Sequence, residues 1–247
     1  MKTKRGGEKV VMLSLAAEGI SGELSLSPSE AAMRKLWEAL DELDQATPPK
    51  PIFRVIIFGS ARISRDHRIY RETKEMARAI AERGIDIVTG GGPGLMAAAN
   101  EGAVIGHRKN KRSWSHGVCI ENINRVETPN EFLKHAYRHR LIFTRLHHFI
   151  RLAHFGAIIL GEAGGYGSDL EKALSHQLRQ FGQLNVPLIG IGPMWEERAA
   201  WEKKWLVDTG YANPEDMSLL TPVATAMEAV PIVLDAYGRF KKSKVAG

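Results

Sequence analysis

The chain has 247 residues, of which 44% are hydrophobic, and it carries a formal net charge of +6 at neutral pH. This length and apolar content suffice for one large buried core, so we expect one main domain with appendages. The sequence contains no run of about 18 apolar residues and no apolar segment typical of a secretion signal. Cys119 is the only cysteine, which excludes an internal disulfide and a cysteine zinc site. We therefore expect a cytoplasmic protein without a membrane partner.

The positive charge is concentrated in three basic runs, at 108–112, 138–151 and 241–244. Such runs are typical of solvated surface, or of attraction for phosphate on nucleic acids and small nucleotides. We do not expect a nucleic-acid partner, because no recognisable binding motif or interleaved aromatic platform accompanies these runs.

Residues 1–50 are predicted to form an N-terminal extension with one amphipathic helix. Ser27, Pro28 and Glu30 supply an N-cap, a favoured first helical residue and a capping-box partner. Apolar residues then recur at helical spacing, which predicts a helix over about 28–45 with an apolar stripe. The stretch TPPKP is expected to end that helix as a stiff linker.

Residues 51–240 alternate between apolar strand segments and helix-compatible segments. The predicted strands are RVIIF, IDIVT, GVCIEN (117–122), GAIIL (156–160), VPLIGI (186–191) and a short strand near 219–223. The predicted helices lie around 70–83, from about Leu95, around 195–207 and over about 225–240. Continuous apolar strands are typical of a parallel sheet buried on both faces. We predict a Rossmann-like, three-layer α/β fold with a doubly wound parallel sheet, an N-terminal helical extension and a basic tail at 241–247.

Two glycine-rich turns each follow a predicted strand and precede a predicted helix, GGGPGLM at 90–96 and GGYGS at 164–168. In an open parallel sheet, ligands bind at the carboxyl ends of the strands, where helix N-termini present unpaired N–H groups. Glycines there let the backbone approach an anion closely. Neither turn has the Walker A lysine or the full dinucleotide spacing. The turns therefore predict a phosphate site for a nucleoside monophosphate, the alternative for the first being a tight turn without a ligand.

Ser168 and Glu171 admit two interpretations. Their spacing is that of a capping box, so they could simply start a well-formed helix. Alternatively, the glycine backbone and Ser168 hold a phosphate, while Glu171 points back toward the sugar from one helical turn further on.

Several of these segments resemble the LOG family, which is often mislabelled as lysine decarboxylases and includes cytokinin-activating phosphoribohydrolases and bacterial nucleotide 5′-monophosphate nucleosidases. The resemblance covers roughly residues 53–235. It rests on FGSAR, GGGPGLMAAANEGA and GGYGSDLE, the last of which is similar to the family's PGGxGTxxE signature. The segment from Tyr137 to Arg151 also resembles the family's helix with an active-site arginine, for which Arg145 is the best match.

The resemblance implies a hydrolase that cleaves the N-glycosidic bond of an AMP-like nucleoside 5′-monophosphate to free base and ribose 5-phosphate. Glu171 would stabilise the oxocarbenium-like sugar and orient or deprotonate the attacking water. Arg145 would bind the phosphate or steady the departing base, the alternative being a structural ion pair. Ser60 and Arg62 could reach the base or sugar, the alternative being that they are ordinary solvated loop residues. The expected phosphate- and nucleotide-binding residues are Gly59, Ser60, Gly91, Gly92, Gly94, Leu95, Met96, Gly164, Gly165, Gly167 and Ser168.

The chain departs from the family pattern at four positions. Ala163 stands for the signature proline, Ser168 for its threonine, Leu170 for the first of a frequent glutamate pair, and Leu146 for the lysine that usually follows the arginine. Ala163, Leu146 and Leu170 motivate an alternative function, a non-catalytic nucleotide-binding or regulatory protein that keeps the phosphate cradle. Family likeness also implies a homodimer or larger assembly with the site near the subunit contact, to which the 28–45 helix could contribute.

No cofactor and no metal are expected. His135 and His139 have the i, i+4 spacing of a metal pair, but no glutamate and no third ligand complete the pattern. A decarboxylase would need a pyridoxal-phosphate lysine in a recognisable setting. His147 and His148 could line the site beside Arg145. Three tryptophans at helical spacing are interpreted as packing or contact surface rather than as a base-stacking group: Trp195, Trp201 and Trp205.

Overall fold

The computed structural model describes residues 27–46, 50–122, 125–126 and 128–245, and the chain divides into two compact units, residues 1–50 and 51–247. In the first unit, helix α1 spans Pro28–Ala46. The Ser27 amide donates to Glu30 Oε2 at 2.8 Å, and the Glu30 amide donates to Ser27 Oγ at 3.3 Å. The predicted capping box is therefore formed.

The second unit is built on a parallel sheet. Its strands are β1 (Arg54–Phe58), β2 (Asp86–Thr89), β3 (Ser115–Asn122), β4 (Arg125–Val126), β5 (His135–His139), β6 (Ala157–Leu160), β7 (Leu188–Ile191) and β8 (Thr221–Val223). Among the described residues, seven strands run parallel in the order β5-β3-β2-β1-β6-β7-β8, and the short β4 pairs antiparallel with the end of β3. The predicted doubly wound α/β fold is confirmed.

Helices cover both faces of this sheet. They are α2 (Arg68–Ala81), α3 (Leu95–Lys109), α4 (Ile142–Ala153), α5 (Tyr166–Gln180), α6 (Pro193–Glu202), a π-helical segment (Lys203–Val207), a 3₁₀ helix (Pro214–Leu219) and α7 (Ala226–Val245). Helices α2, α3 and α7 pack on the face that carries Val55 and Ile57, whereas α4, α5 and α6 pack on the face that carries Ile56 and Phe58. The central strands β1, β2, β6 and β7 are mainly apolar because both of their faces are buried. No helix in the described part of the chain is long and apolar enough to cross a membrane.

The connection through α4 determines where the strand order of the sheet reverses. It carries the chain from β5, on one side of β1, to β6, on the other side. The strand order therefore reverses between β1 and β6, and their carboxyl ends form the topological switch point at which open α/β sheets bind ligands. The loop after β1 and the GGYGS turn after β6 both leave the sheet there.

Two predictions about the basic segments are wrong. Tyr137 was predicted at the start of the arginine-bearing helix, but it lies in β5, and α4 begins only at Ile142. Strand β5 is an edge strand whose residues are mostly exposed, so it tolerates the polar sequence HAYRH, which carries no apolar strand signal. The predicted tail at 241–247 is also helical as far as Val245, where α7 ends.

The strand assignment also removes the histidine pair from one helical face. His135 and His139 lie at the two ends of β5. Four residues of extended chain span about 13 Å, against about 6 Å along a helix. Among the described residues, no group of three or more histidine, cysteine, aspartate or glutamate side chains is arranged to hold a metal ion.

Candidate functional site

A cleft of about 920 Å³ lies at the switch point. It is lined by residues 59–62 after β1, by Gly90 and Met96 around the first glycine turn, by Arg145 of α4, by residues 164–169 and Glu171 at the start of α5, and by one face of α6. Most of the residues predicted to form the site therefore face one common space. The volume falls within the range of small-molecule sites.

Ser60 joins the loops that form this cleft. Its amide donates to the Ala163 carbonyl at 2.8 Å, and its own carbonyl accepts from the Leu95 amide at 3.0 Å. The loop after β1 is thus hydrogen-bonded on one side to the second glycine turn and on the other to the start of α3. The three loops consequently have a fixed spacing.

The glycines of the first turn serve close packing of the chain. Gly94 has φ +67°, and a Cβ placed on it would lie 2.3 Å from the Ser60 carbonyl oxygen. Gly91 has φ +79°, and a Cβ there would lie 2.5 Å from Cys119 Sγ. Gly91, Gly92, Gly94 and Leu95 are buried and lie outside the cleft lining. Their direct contact with a phosphate remains a prediction.

A buried amide network that the sequence analysis missed holds this first turn. Asn130 Nδ2 donates to the Gly91 and Gly92 carbonyls at 3.0 and 2.9 Å, and it also contacts Asn100 Oδ1 at 3.0 Å. Thr89 Oγ1 donates to the same Asn100 oxygen and accepts from the Gly91 amide. Asn100 was visible as a polar residue in an alanine-rich helix. Asn130 carries no sequence signal, because it lies some forty positions from its partners.

The second turn opens directly onto the cleft. Helix α5 begins at Tyr166, so Ser168 lies inside its first turn, and the capping-box interpretation of Ser168 and Glu171 is wrong. A Cβ built on Gly165 or Gly167 meets no atom of the described residues within 4 Å. These glycines are therefore not required by packing against the rest of the described chain. Their backbone stands at the positive end of a helix, where an anion is stabilised.

Arg145 reaches the cleft from α4 and is anchored by main-chain oxygens. Its Nε donates to the Val118 carbonyl at 2.8 Å, and its Nη2 lies 3.5 Å from the Gly90 carbonyl. The guanidinium also lies 5.4 Å from the centre of the Phe149 ring. A Cβ on Gly90 would lie 2.4 Å from Nη2, so this glycine makes the room that the guanidinium occupies. Gly90 is a further site residue that the sequence analysis did not select.

Both signs of charge line the cleft. Glu171 is half-buried on α5, and the other ionisable groups of the lining are Arg62, Arg145, Asp169, Glu197 and Arg198. A helix N-terminus and arginines favour an anionic group, while a carboxylate nearby favours a developing positive charge. The cleft therefore offers a place for an anion and, close to it, a carboxylate that can stabilise positive charge.

Two histidines near Arg145 on α4, His147 and His148, lie outside the cleft lining. His148 Nδ1 is 2.9 Å from His139 Nε2, against strand β5. Burial, together with the positive charge of its neighbours, lowers the pKa of His148 to about 4. This imidazole is therefore neutral at neutral pH.

The three tryptophans of the α6 region differ in their surroundings. Trp195 is fully buried, and its Nε1 donates to the Gly161 carbonyl at 2.9 Å at the end of β6. Trp201 is 48% exposed and lines the cleft, whereas Trp205 is 50% exposed and lies outside the lining. The packing interpretation is therefore right for Trp195 and incomplete for Trp201.

The sheet order, the switch-point cleft and the glycine turn at a helix N-terminus define a Rossmann-like α/β protein. Residues 52–126 match the SLOG cluster4 family. The pyrimidine/purine nucleotide 5′-monophosphate nucleosidase of Escherichia coli K12 is 30% identical over 142 residues, which cover 56% of this chain and 31% of the nucleosidase. The matched part thus spans about a third of that relative.

Solved structures with the same fold include two molybdenum cofactor proteins. The Moco carrier protein of Chlamydomonas reinhardtii has a TM-score of 0.55 at 16% identity, over 76% of this chain and 98% of that one. The molybdenum cofactor binding protein of Rippkaea orientalis has a TM-score of 0.52 at 13% identity, over 74% and 96%. At such identities the likeness concerns the fold. The sequence matches to the SLOG cluster4 family and to the nucleosidase each cover part of this chain, and they show what that part is similar to.

The two kinds of glycine predict different responses to alanine. Gly94→Ala should lower the free energy of unfolding by about 2 kcal/mol or more, because it combines an unfavourable φ with a clash against backbone. Gly167→Ala should leave it unchanged or raise it by up to about 1 kcal/mol, because alanine is the better helix former and has room. Urea unfolding of both variants measures the difference. Equal losses would contradict the assignment of these glycines.

Proposed function

We propose that the protein is a hydrolase that cleaves the N-glycosidic bond of a nucleoside 5′-monophosphate, releasing a free base and ribose 5-phosphate. The observation that carries this proposal is the convergence of the exposed glycine turn, Arg145 and Glu171 on one cleft. The partial sequence match to a nucleotide 5′-monophosphate nucleosidase supports the same reaction.

The phosphate is proposed to bind at the start of α5. Gly165 and Gly167 leave the backbone accessible from the cleft, and Ser168 lies in the same helical turn. Amide groups at a helix N-terminus bind an anion with favourable dipole orientation. Binding there fixes one end of the nucleotide and positions its sugar along the first two turns of α5.

Arg145 is proposed to act on charge that leaves the sugar. Its Nε is engaged by the Val118 carbonyl, which fixes the plane of the guanidinium beside the cleft. The other N–H groups can donate to the phosphate or to the departing base. Because a guanidinium stays charged at all relevant pH values, it stabilises the electron pair that the base takes from the breaking bond.

Glu171 is proposed as the carboxylate that serves the sugar. As the C1′–N bond breaks with its electrons going to the base, positive charge develops on the ribose ring. A half-buried carboxylate stabilises this charge and accepts a proton from the water that attacks C1′. The departing base takes a proton from solvent, Glu171 returns the proton of the attacking water to solvent, and the water oxygen becomes the anomeric hydroxyl of ribose 5-phosphate.

The alternative is a nucleotide-binding or regulatory protein without catalysis, suggested by departures from the family motif. At Ala163 the hydrogen bond to Ser60 uses the main-chain carbonyl, which a proline would supply equally well. The side chains of Leu146 and Leu170 lie outside the cleft lining. The groups that the proposed chemistry requires are therefore all present in the cleft, which favours the enzyme.

A homodimer is proposed as the working assembly. Large apolar side chains are exposed at the start of α4, at Leu141 and Phe143, and at the start of α5, at Tyr166. Exposed apolar surface is a feature of protein contact sites. Light scattering should give twice the chain mass, and a monomer at the concentration of the activity assay would overturn this proposal.

Base release tests the enzymatic proposal. The protein is incubated with AMP, GMP, CMP, UMP and a cytokinin monophosphate, and free base is measured by chromatography. We expect release from at least one nucleotide and a loss of about 100-fold or more in Glu171→Gln. Glu196→Gln, an exposed carboxylate of α6 outside the cleft lining, should retain activity.

Two outcomes would contradict the enzyme. Nucleotide binding without base release from any substrate would favour the non-catalytic alternative, in which bound nucleotide still raises the melting temperature. The absence of both nucleotide binding and base release would contradict the enzymatic proposal and the non-catalytic alternative alike.

A further inference from the structure

One face of α6 forms a wall of the cleft. Met194, Glu197, Arg198 and Trp201 are spaced i, i+3, i+4 and i+7, and all four line the cleft. Residues at this spacing share one side of a helix. The proposed reaction assigns no role to this wall, although it contributes Trp201, one of the three Phe, Tyr and Trp side chains of the lining.

Trp201 presents a half-exposed indole to the cleft. Trp195, six positions earlier, is fully buried. Its indole N–H donates to the Gly161 carbonyl, and its side chain packs against Gly190. Trp201 instead keeps 48% of its surface accessible. A large aromatic face left open on a cleft wall is the kind of surface on which a planar ligand gains the most from burial.

A charged side chain lies against this indole. The Arg198 guanidinium lies 5.1 Å from the centre of the Trp201 ring. Arg198 is itself tied to Glu202 Oε1, 3.3 Å from its Nε, and to Asp169 Oδ1, 3.5 Å from its Nη2. Glu202 is paired in turn with Lys172 of α5, and these two residues are only 8% and 3% exposed.

This chain of charges couples the indole to the helix of the phosphate turn. Asp169 and Lys172 belong to α5, next to Ser168 and Glu171. A ligand anchored at the N-terminus of α5 therefore has α6, and with it Trp201, at a fixed position along its length. The wall is preorganised, which lowers the cost of ordering side chains on binding.

We propose that Trp201 is the surface on which the base of the nucleotide stacks, an inference that rests on the proposed phosphate site. The occupant is a planar heterocycle joined to a ribose phosphate. Stacking on an aromatic side chain tolerates every base, because each base has a π-face. Trp201 therefore secures the base while it departs and permits both purines and pyrimidines.

Trp205 provides a matched control. It is four positions further on, is exposed to the same degree, and carries its own cation, with Lys204 Nζ 4.7 Å from its ring, but it lies outside the cleft lining. Trp201→Ala, Trp201→Phe and Trp205→Ala are made in the full chain with Glu171→Gln added to suppress turnover. Calorimetric titration with AMP and with ribose 5-phosphate then separates the contribution of the base to the binding affinity from that of the sugar phosphate.

We expect Trp201→Ala to weaken AMP binding roughly tenfold and to leave ribose 5-phosphate binding within about twofold. Trp201→Phe, which keeps an aromatic face, should recover most of the AMP affinity, and Trp205→Ala should alter neither ligand. Melting temperatures close to that of the parent protein establish that the variants fold.

Three results would overturn the inference: unchanged AMP affinity in Trp201→Ala, an equal loss for both ligands, or the same loss in Trp205→Ala. Its failure is separable from that of the proposed function. Base release by the wild-type protein together with unaltered AMP binding by Trp201→Ala would contradict the stacking proposal and leave the proposed hydrolase in place. A base-dependent loss in Trp201→Ala in a protein that releases no base would remove the hydrolase alone.

Discussion

The two hydrogen bonds of the Ser60 backbone are the constraint on which the rest of the site depends. They fix the loop after β1 to the carbonyl before the second glycine turn and to the first amide of α3. Because both partners are backbone groups, the spacing of the three loops does not depend on any side-chain rotamer. Gly94 permits this approach, since any side chain there would meet the Ser60 carbonyl. The open cleft exists because these loops are held at a set distance.

The glycines of the two turns differ in what they contact. The first packs against neighbouring backbone and is held by the buried amide of Asn100 and the half-buried amide of Asn130. Its glycines are required by the fold itself. The second has glycines that face open space at a helix N-terminus. A residue that packing does not demand but that leaves backbone accessible is better explained by a ligand than by stability.

Much of this could be predicted from the sequence, because the relevant signals are local. The buried strands have continuous apolar runs, and each glycine turn follows one of them. Strand β5 escaped prediction because an edge strand needs no apolar run, so HAYRH reads as part of a basic helix. The residue at which α5 begins also could not be predicted from the sequence. Gly165 is the N-cap of that helix, three residues before Ser168, to which the capping-box interpretation had given this position.

The missed site residues depend on contacts between distant segments. Gly90 matters because Arg145 occupies the space above it, and Asn130 matters because its amide reaches the Gly91 and Gly92 carbonyls. Trp201 could be recognised as part of a helix but not as part of a cleft. Its position in the cleft lining depends on the placement of α6 beside α5, which the sequence does not show. Local patterns thus predicted which turns matter, whereas the walls of the site required the tertiary structure.

The most direct measurement of this account is a crystal structure of the Glu171→Gln variant with AMP. It should place the phosphate against the backbone around Gly165 and Gly167, with C1′ of the ribose next to residue 171 and the Arg145 guanidinium within hydrogen-bonding distance of the nucleotide. A phosphate bound elsewhere, such as on the basic edge strand β5, or a sugar turned away from residue 171, would contradict it.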